Sequence, residues 1–530
     1  MVNIESSLKS LNELVRGLTQ DEIKSVQRFL NGFDDSVGQN KVKTSRLLEL
    51  TLADEKVSTS RIMGALYENP DSERAFAMLI QRLYDKILEC ILLEANIERK
   101  DAYSEFVMAS IDVRKKIMQA RILKGRNLNS DILGFYDKII SKAKKFELFD
   151  ELCEVLELKR LHIGLRFGPT DFDEVTKELE FFNDARKAIA KCYEYEILIA
   201  SQSEFSSKND KIIELIIRAL SDLQMEFDKT KSANVGYFLY KTEARYFSLI
   251  EEFQRARNSY LKVVDIVTNF PAVATKIKSG ISLMELSNAE ISLYDFHSAI
   301  THISLSKTYF SKFSFNSIQA SEIEFIANFF SGNIGGAAEI LNELTDPNIP
   351  DYSPFIQSRH FYLLACVNFL QGKNKDCNIL FKHTKEIDKD KEGWNLGVRV
   401  LNILNQIELD DVDFAEDLIE NLRKHVERTL KLKKDIRSRD IVILKILNEL
   451  VKESFDFKAV WNKRPNYFEL LASNDAEHKW EIKSHELVIF HEWFKWKATG
   501  IPYPLALTAP APTAPVPEEK QVREKVFVRK

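Results

Sequence analysis

The sequence predicts an all-α protein, a right-handed α-solenoid of helix–turn–helix repeats between an N-terminal helical domain and a C-terminal helical cap. Turn formers are scarce: 530 residues include only 17 glycines and 13 prolines, and six of those prolines lie between Pro502 and Pro517. A β-sandwich, or an enzyme with glycine-rich ligand loops, would need more turn residues. Apolar residues recur every three or four positions over most of the chain, which is the helical period. Finally, a long central segment repeats itself.

Residues 1–100 are predicted to form the N-terminal helical domain. Thr19 and Glu22 have the spacing of a capping box, in which each side chain satisfies the backbone N–H of the other. A long amphipathic helix to about Glu98 is indicated by apolar residues at helical spacing: Phe76, Leu79, Leu83, Ile87 and Ile91. Residues 101–230 are predicted to form long helix pairs, and divergent repeats are one interpretation of them.

Residues 231–435 are internally repetitive, and five helix pairs are predicted there. A small residue recurs in each second helix at steps of 43, 38, 40 and 38 residues: Ala256, Ala299, Ala337, Cys377 and Ala415. Four positions later comes a large apolar residue: Tyr260, Ile303, Leu341, Phe381 and Ile419. The small side chain lets two helices approach closely, and the large one fills the space toward the next pair. One pair cannot bury its apolar face alone, so the pairs are expected to stack.

This pattern resembles the tetratricopeptide repeat in a degenerate form. The best match is residues 237–271, which carry the family's aromatic and small positions: Tyr240, Ala244, Phe247, Ala256, Tyr260 and Val263, with a terminating Pro271. Phe325 and Ile403 depart from the pattern, because the family prefers a small residue at their positions. The period is also longer than the family's roughly 34 residues.

Behind the repeats, residues 436–500 are predicted to form an aromatic-rich helical cap that seals the open end of the solenoid. All five tryptophans lie from Trp394 onward. Residues 501–530 are rich in proline and alanine and are predicted to be a disordered tail. Its last residues include Val526, Phe527 and Val528, which are flanked by basic residues and could add a strand to a partner's sheet. A terminus without any role is the alternative.

Composition excludes several function classes. The net charge is −5, from 75 basic and 80 acidic residues, and this balance argues against nucleic acid as a partner. Five cysteines without a CxxC pair suggest neither disulfides nor a zinc site. No apolar run is long enough to span a membrane and no signal peptide is recognisable, so a cytoplasmic protein is expected.

No catalytic, cofactor-binding or metal-binding residue is predicted, and the protein is expected not to be an enzyme. The motifs that cradle phosphates or present a serine nucleophile are absent. Three histidines lie close together near the C-terminus: His478, His485 and His491. They lack the HExxH spacing that holds one zinc ion between two histidines, so packing against the neighbouring tryptophans is the preferred interpretation.

The predicted function is a non-catalytic scaffold or adaptor that binds a peptide or protein segment in the repeat groove. The resemblance to the tetratricopeptide family places these first-helix residues in the groove: Lys241, Arg245, Asn288, Arg359 and Tyr362. Lys, Arg and Asn could hold a carboxylate or acidic side chains.

The alternative is a transcriptional regulator with tetratricopeptide repeats and a DNA-contacting N-terminal domain, because residues 43–92 resemble the helical part of a winged helix. A more basic helix follows at 114–126. However, residues 41–100 hold ten basic and ten acidic residues, which leaves no electrostatic footprint for DNA.

Overall fold

The computed structural model describes most of the chain, in these ranges: 4–33, 39–53, 59–67, 73–94, 104–128, 131–166, 169–203, 210–346, 353–386, 390, 393–431 and 436–509. Contacts between Cα atoms divide it into two compact units, residues 1–143 and residues 144–530. In the described ranges, the secondary structure is helical apart from one isolated β-bridge.

The first unit consists of helices α1 (Ile4–Arg16), α2 (Gln20–Phe33), α3 (Gln39–Ala53), α4 (Thr59–Leu66), α5 (Glu73–Glu94), α6 (Glu105–Gly125) and the start of α7 (Ile132–Lys145). Helix α5 packs against α1, α2 and α3. Its predicted apolar face is buried, since Phe76, Leu83 and Ile87 have no exposed surface. The capping box is confirmed: the Thr19 amide donates to Glu22 Oε2 at 2.7 Å, and the Glu22 amide donates to Thr19 Oγ1 at 3.3 Å.

The second unit opens with α8 (Phe149–Gly164), α9 (Pro169–Ser203) and α10 (Asp210–Thr230). Five helix pairs follow: α11 (Ala233–Leu249) with α12 (Phe253–Asn269), α13 (Lys276–Ser292) with α14 (Phe296–Lys307), α15 (Phe315–Phe330) with α16 (Ile334–Leu344), α17 (Pro354–Leu370) with α18 (Asn374–His383), and α19 (Trp394–Glu408) with α20 (Val412–Lys431). The cap adds α21 (Ser438–Lys452), α22 (Phe457–Lys463), α23 (Pro465–Ala472) and α24 (Phe490–Thr499).

Each helix from α8 to α21 packs against the next one in the chain. First helices also contact the first helix of a neighbouring pair, as α13 does with α15 and α17 with α19. Helix α9, which packs against α10, contacts α11 in the same way and is counted with the first helices. Sequential stacking of this kind is the architecture of an α-solenoid. The predicted tetratricopeptide-like array is confirmed. We call the surface formed by the first helices α9, α11, α13, α15, α17 and α19 the inner face.

The small residues that predicted the repeats lie where the helices of a pair approach most closely. All five have no exposed surface: Ala256, Ala299, Ala337, Cys377 and Ala415. Twelve positions earlier, the facing residues of the first helices are equally buried: Ala244, Ser287, Phe325, Ala365 and Ile403. The thiol of Cys377 donates to the Ala365 carbonyl at 3.4 Å, so the second helix reaches the backbone of the first. Phe325 and Ile403 are accommodated as core residues.

The turn between the two helices has one conformation in all five pairs. In each turn, the residue two positions before the second helix adopts a positive φ: Glu251, Tyr294, Gly332, Gly372 and Asp410. The next amide then bonds the carbonyl five residues back, as Asp295 does with Glu290. This is the Schellman ending, which satisfies the free carbonyls of the first helix. Only two of the five turns use glycine, although a left-handed conformation costs other residues about 1 kcal/mol.

The cap carries two stretches that lie outside helices. Residues 473–489, between α23 and α24, are called the return segment here, because they lead back across the inner face. After α24 the chain continues to residue 509 without a further helix. The Leu507 amide donates to the Phe330 carbonyl at 2.8 Å, and Ala506 forms the isolated bridge with Ser331. The predicted tail therefore begins with a packed stretch; its motif Val526, Phe527 and Val528 lies outside the described residues.

Candidate binding site on the inner face

The first two predicted groove residues lie on α11. The Lys241 ammonium pairs with the Glu196 carboxylate of α9. Burial works against the charge of Lys241, but the attraction of Glu196 outweighs it and raises the pKa of the lysine. Arg245 is half-buried, and within the described residues it makes neither a hydrogen bond nor an ion pair. This part of the face therefore offers a guanidinium whose donors are available.

Asn288 lies on α13, the next first helix. Its backbone carbonyl accepts a hydrogen bond from Lys483 Nζ at 3.2 Å. Lys483 belongs to the return segment, so a residue near the C-terminus joins the face that the repeats form. The surrounding protein lowers the pKa of Lys483 by desolvating its ammonium, and the nearby Glu285 opposes this shift only in part.

The last two predicted groove residues lie on α17 and are already engaged. Arg359 Nη2 donates to Glu322 Oε2 at 2.7 Å, and its guanidinium stacks 4.9 Å from the centre of the Trp394 ring. The Tyr362 side chain is buried, and its hydroxyl donates to the His485 carbonyl at 2.5 Å. A partner could reach Tyr362 only by displacing the return segment.

The return segment crosses the inner face and contacts several repeats in turn. Lys479 pairs with Glu251 in the first turn, and the Trp480 ring lies edge-on to Phe330, 5.4 Å between centres. At α19 the segment lies against glycine: a Cβ on Gly397 would come within 2.9 Å of the His485 carbonyl oxygen. The absence of a side chain there lets two backbones approach closely.

Arg439 of α21 anchors the far end of the return segment. Its side chain is fully buried and all five of its N–H donors have acceptors. Two bonds, of 2.6 and 2.9 Å, go to the Glu486 carboxylate. Two more go to the carbonyls of Leu471 and His478, and the fifth reaches His491 Nδ1 at 2.9 Å. Satisfying every donor is the condition under which a buried guanidinium is tolerated.

The three neighbouring histidines near the C-terminus, His478, His485 and His491, lie in or beside the return segment. His485 Nε2 lies 2.9 Å from Arg437 Nη2 and 3.4 Å from Asp440 Oδ1. Burial alone would raise the pKa of Asp440, but hydrogen bonds from His485 and Arg437 lower it to about 2. His478 and His491 have separate partners, Asp475 and Arg439. Across the described residues, no group of three His, Cys, Asp or Glu side chains is placed to hold a metal ion.

Two residues that were not predicted from the sequence lie in or beside the part of the inner face that α11 and α13 form. Lys278 of α13 lies with its ammonium 4.9 Å from the centre of the Tyr237 ring, and desolvation together with Lys241 lowers its pKa. Glu147, 86 residues before the first residue of α11, caps that helix: its carboxylate accepts from the Ser232 hydroxyl and the amides of Ala233 and Asn234. Capping over such a separation leaves no pattern in the sequence.

The comparisons with known proteins include a likeness to a solved structure. No family model matches the sequence, and no curated protein matches it. Among solved structures, the chain is similar to a signal transduction ATPase with numerous domains (STAND) that has a tetratricopeptide repeat sensor, from Pyrococcus horikoshii. The identity is 14%, over 88% of this chain and 74% of that one, with a TM-score of 0.30.

Two further expectations concern membranes and DNA. None of the described helices is both long and apolar enough to cross a bilayer. The basic stretch 114–126 lies mainly on α6, where Lys116 pairs with Asp112, at 2.9 Å. Lys142 pairs with the same carboxylate at 2.7 Å. Part of the basic charge in this unit is therefore neutralised within the fold.

Proposed function

We propose that the protein is a non-catalytic scaffold or adaptor, and that the inner face of its repeats binds an extended segment of a partner protein. The observation that supports this most is the return segment itself. The inner face holds a non-helical stretch of its own chain, partly through main-chain hydrogen bonds: Tyr362 binds the His485 carbonyl. A surface that holds extended chain in this way can hold a partner's segment by the same chemistry.

The repeats also leave part of this surface uncovered. On α11 and α13, Lys241, Arg245 and Asn288 are all partly exposed, whereas Tyr362 lies under the return segment. The proposal therefore places the partner on the first two repeats. Of the other predicted groove residues, Arg359 is engaged by Glu322 and Trp394 of neighbouring repeats, and Tyr362 holds the return segment.

The test is site-specific photocrosslinking in native lysate. A photoreactive amino acid replaces Asn288 on α13 in one variant. In the matched control it replaces Asn258, which is exposed on the second helix α12. We expect the same crosslinked protein in repeated captures from position 288, insensitive to nuclease, and none from position 258.

The opposite result would count against a binding groove. Equal crosslinking from both positions would show unspecific contact, and no crosslink from position 288 would show that the inner face is not the binding surface. Nuclease-sensitive products would instead favour the DNA-contacting regulator.

A further inference from the structure

We infer that the uncovered part of the inner face is a composite site for an acidic segment of a partner, built from α11, α13 and Lys483 of the return segment. This inference rests on the proposed function, since it names the chemistry of the segment that the inner face would bind. It adds two cations, Lys278 and Lys483, to Lys241 and Arg245.

The balance of charge on this surface favours an anion. Four cations lie there, and the carboxylates beside them are Glu196 and Glu285, with Glu147 at the start of α11. Glu196 is paired with Lys241. Glu147 already accepts hydrogen bonds from Ser232, Ala233 and Asn234. Of these three carboxylates, Glu285 is the one left for the other three cations.

Among the residues that the structure describes, two of these cations have no carboxylate within ion-pair distance. Lys278 Nζ has only the Asn234 side-chain oxygen, at 3.4 Å, and the neighbouring aromatic rings. Lys483 Nζ donates to the Asn288 carbonyl, a neutral acceptor. Lys278 is partly buried, so its ammonium would gain more from a bound carboxylate than a lysine in open water. Lys483 is exposed, so a partner's carboxylate can reach it. Displacing those neutral contacts costs little by comparison.

The site combines two distant parts of the second unit. Helices α11 and α13 lie in its first half, whereas Lys483 belongs to the return segment near the C-terminus. The return segment lies against α15, α17 and α19, and it also contacts the turn after α11 through Lys479 and α13 through Lys483. Neighbouring first helices lie about 10 Å apart, so α9, α11 and α13 together span about 20 Å. About six extended residues cover that length. The expected ligand is therefore a short acidic stretch.

The test measures fluorescence anisotropy of a labelled hexaglutamate peptide added to the full-length protein, with a hexalysine peptide as the probe of opposite charge. We expect hexaglutamate to bind more weakly as salt increases, because the contacts are ionic. The double variant Lys278→Ala/Lys483→Ala should bind at least about tenfold more weakly, since charge-assisted hydrogen bonds are lost.

The matched control is Lys262→Ala, which removes a lysine of the second helix α12 and should leave binding unchanged. Circular dichroism and tryptophan fluorescence check that every variant is folded. The inference would be overturned if hexaglutamate did not bind, if hexalysine bound equally well, or if the double variant bound as tightly as the unaltered protein.

These results are separable from a failure of the proposed function. If hexaglutamate does not bind while position 288 still crosslinks to one protein, the partner segment is not acidic and the scaffold proposal stands. If both experiments are negative, the inner face does not bind peptide and the two proposals fail together.

Discussion

The uncovered and the covered parts of the inner face are built from the same repeat and differ in what lies on them. On α11, Arg245 has no hydrogen-bond or ion-pair partner among the described residues. On α17, Arg359 pairs with Glu322 and stacks on Trp394. Both residues were predicted as groove residues by the same resemblance. The repeat thus places side chains on a face, while the rest of the chain decides which of them stay available.

The two parts of the inner face are expected to differ in role: the covered part stabilises the fold, and the uncovered part binds a partner. Where the return segment lies, the inner face resembles the interior of a protein, with a buried tyrosine, a fully bonded arginine and glycine at a backbone contact. Where it is absent, partly buried cations remain, among them Lys278 and Arg245. Substitutions in the covered part should therefore change the free energy of unfolding, and those in the uncovered part should change binding. All five tryptophans lie from Trp394 onward, so their fluorescence reports unfolding of the covered part.

The largest effect is expected from Arg439→Met. It leaves the Glu486 carboxylate buried without its partner, which typically costs about 3–5 kcal/mol. Urea unfolding followed by tryptophan fluorescence measures the loss. In the double variant Arg439→Met/Glu486→Met no unpaired charge remains, so most of the stability should return. A loss below about 1 kcal/mol for the single variant would show that the network does not anchor the return segment.

The next effect is a loss of stability in mild acid. Burial and the neighbouring Arg439 lower the pKa of His491 to about 4, against roughly 6.5 in an unfolded chain. Between these values the unfolded chain binds more protons, so stability decreases as the pH falls from about 6.5 to about 4. Over this whole pH range, the protonation of His491 is expected to lower the free energy of unfolding by about 3 kcal/mol.

The urea midpoint measured across this pH range tests this, and His491→Gln should flatten the slope. Asp440, with a pKa lowered to about 2, loses its contribution only below about pH 4. A slope that persists in His491→Gln would assign the acid sensitivity to other groups.

Gly397→Ala should destabilise the covered part by about 1–3 kcal/mol, because the new methyl group overpacks the contact with Tyr362 and His485. The matched control is Gly335→Ala in α16, where a Cβ meets nothing within 4 Å. Alanine is the better helix former, so this change should stabilise by up to about 1 kcal/mol. Equal effects of the two substitutions in urea unfolding would show that the return segment does not press on α19.

The smallest effect compares the two arginines directly. Arg359→Ala removes a partly buried ion pair and a ring contact and should cost about 1–2 kcal/mol. Arg245→Ala should change stability by less than about 0.5 kcal/mol but weaken hexaglutamate binding. Parallel unfolding and anisotropy measurements check both. If Arg359→Ala weakened binding without changing stability, the covered part would be a binding surface after all.

Local patterns determined much of the fold. The helical period, the small residues from Ala256 to Ala415 and the capping box at Thr19 each depend on neighbours a few positions away, so the sequence alone predicts them. The tolerance of Phe325 and Ile403 at positions where the family prefers small residues was not predictable in this way, because it depends on how the pairs around them separate.

The tertiary structure decided which predicted groove residues remain available. Sequence and resemblance placed Lys241, Arg245, Asn288, Arg359 and Tyr362 on the first helices, and there they lie. Only the folded chain brings residues 473–489 across α17 and α19, brings Lys483 to Asn288, and brings Glu147 to the start of α11. Contacts between residues so far apart depend on the path of the whole backbone, which no short-range periodicity encodes.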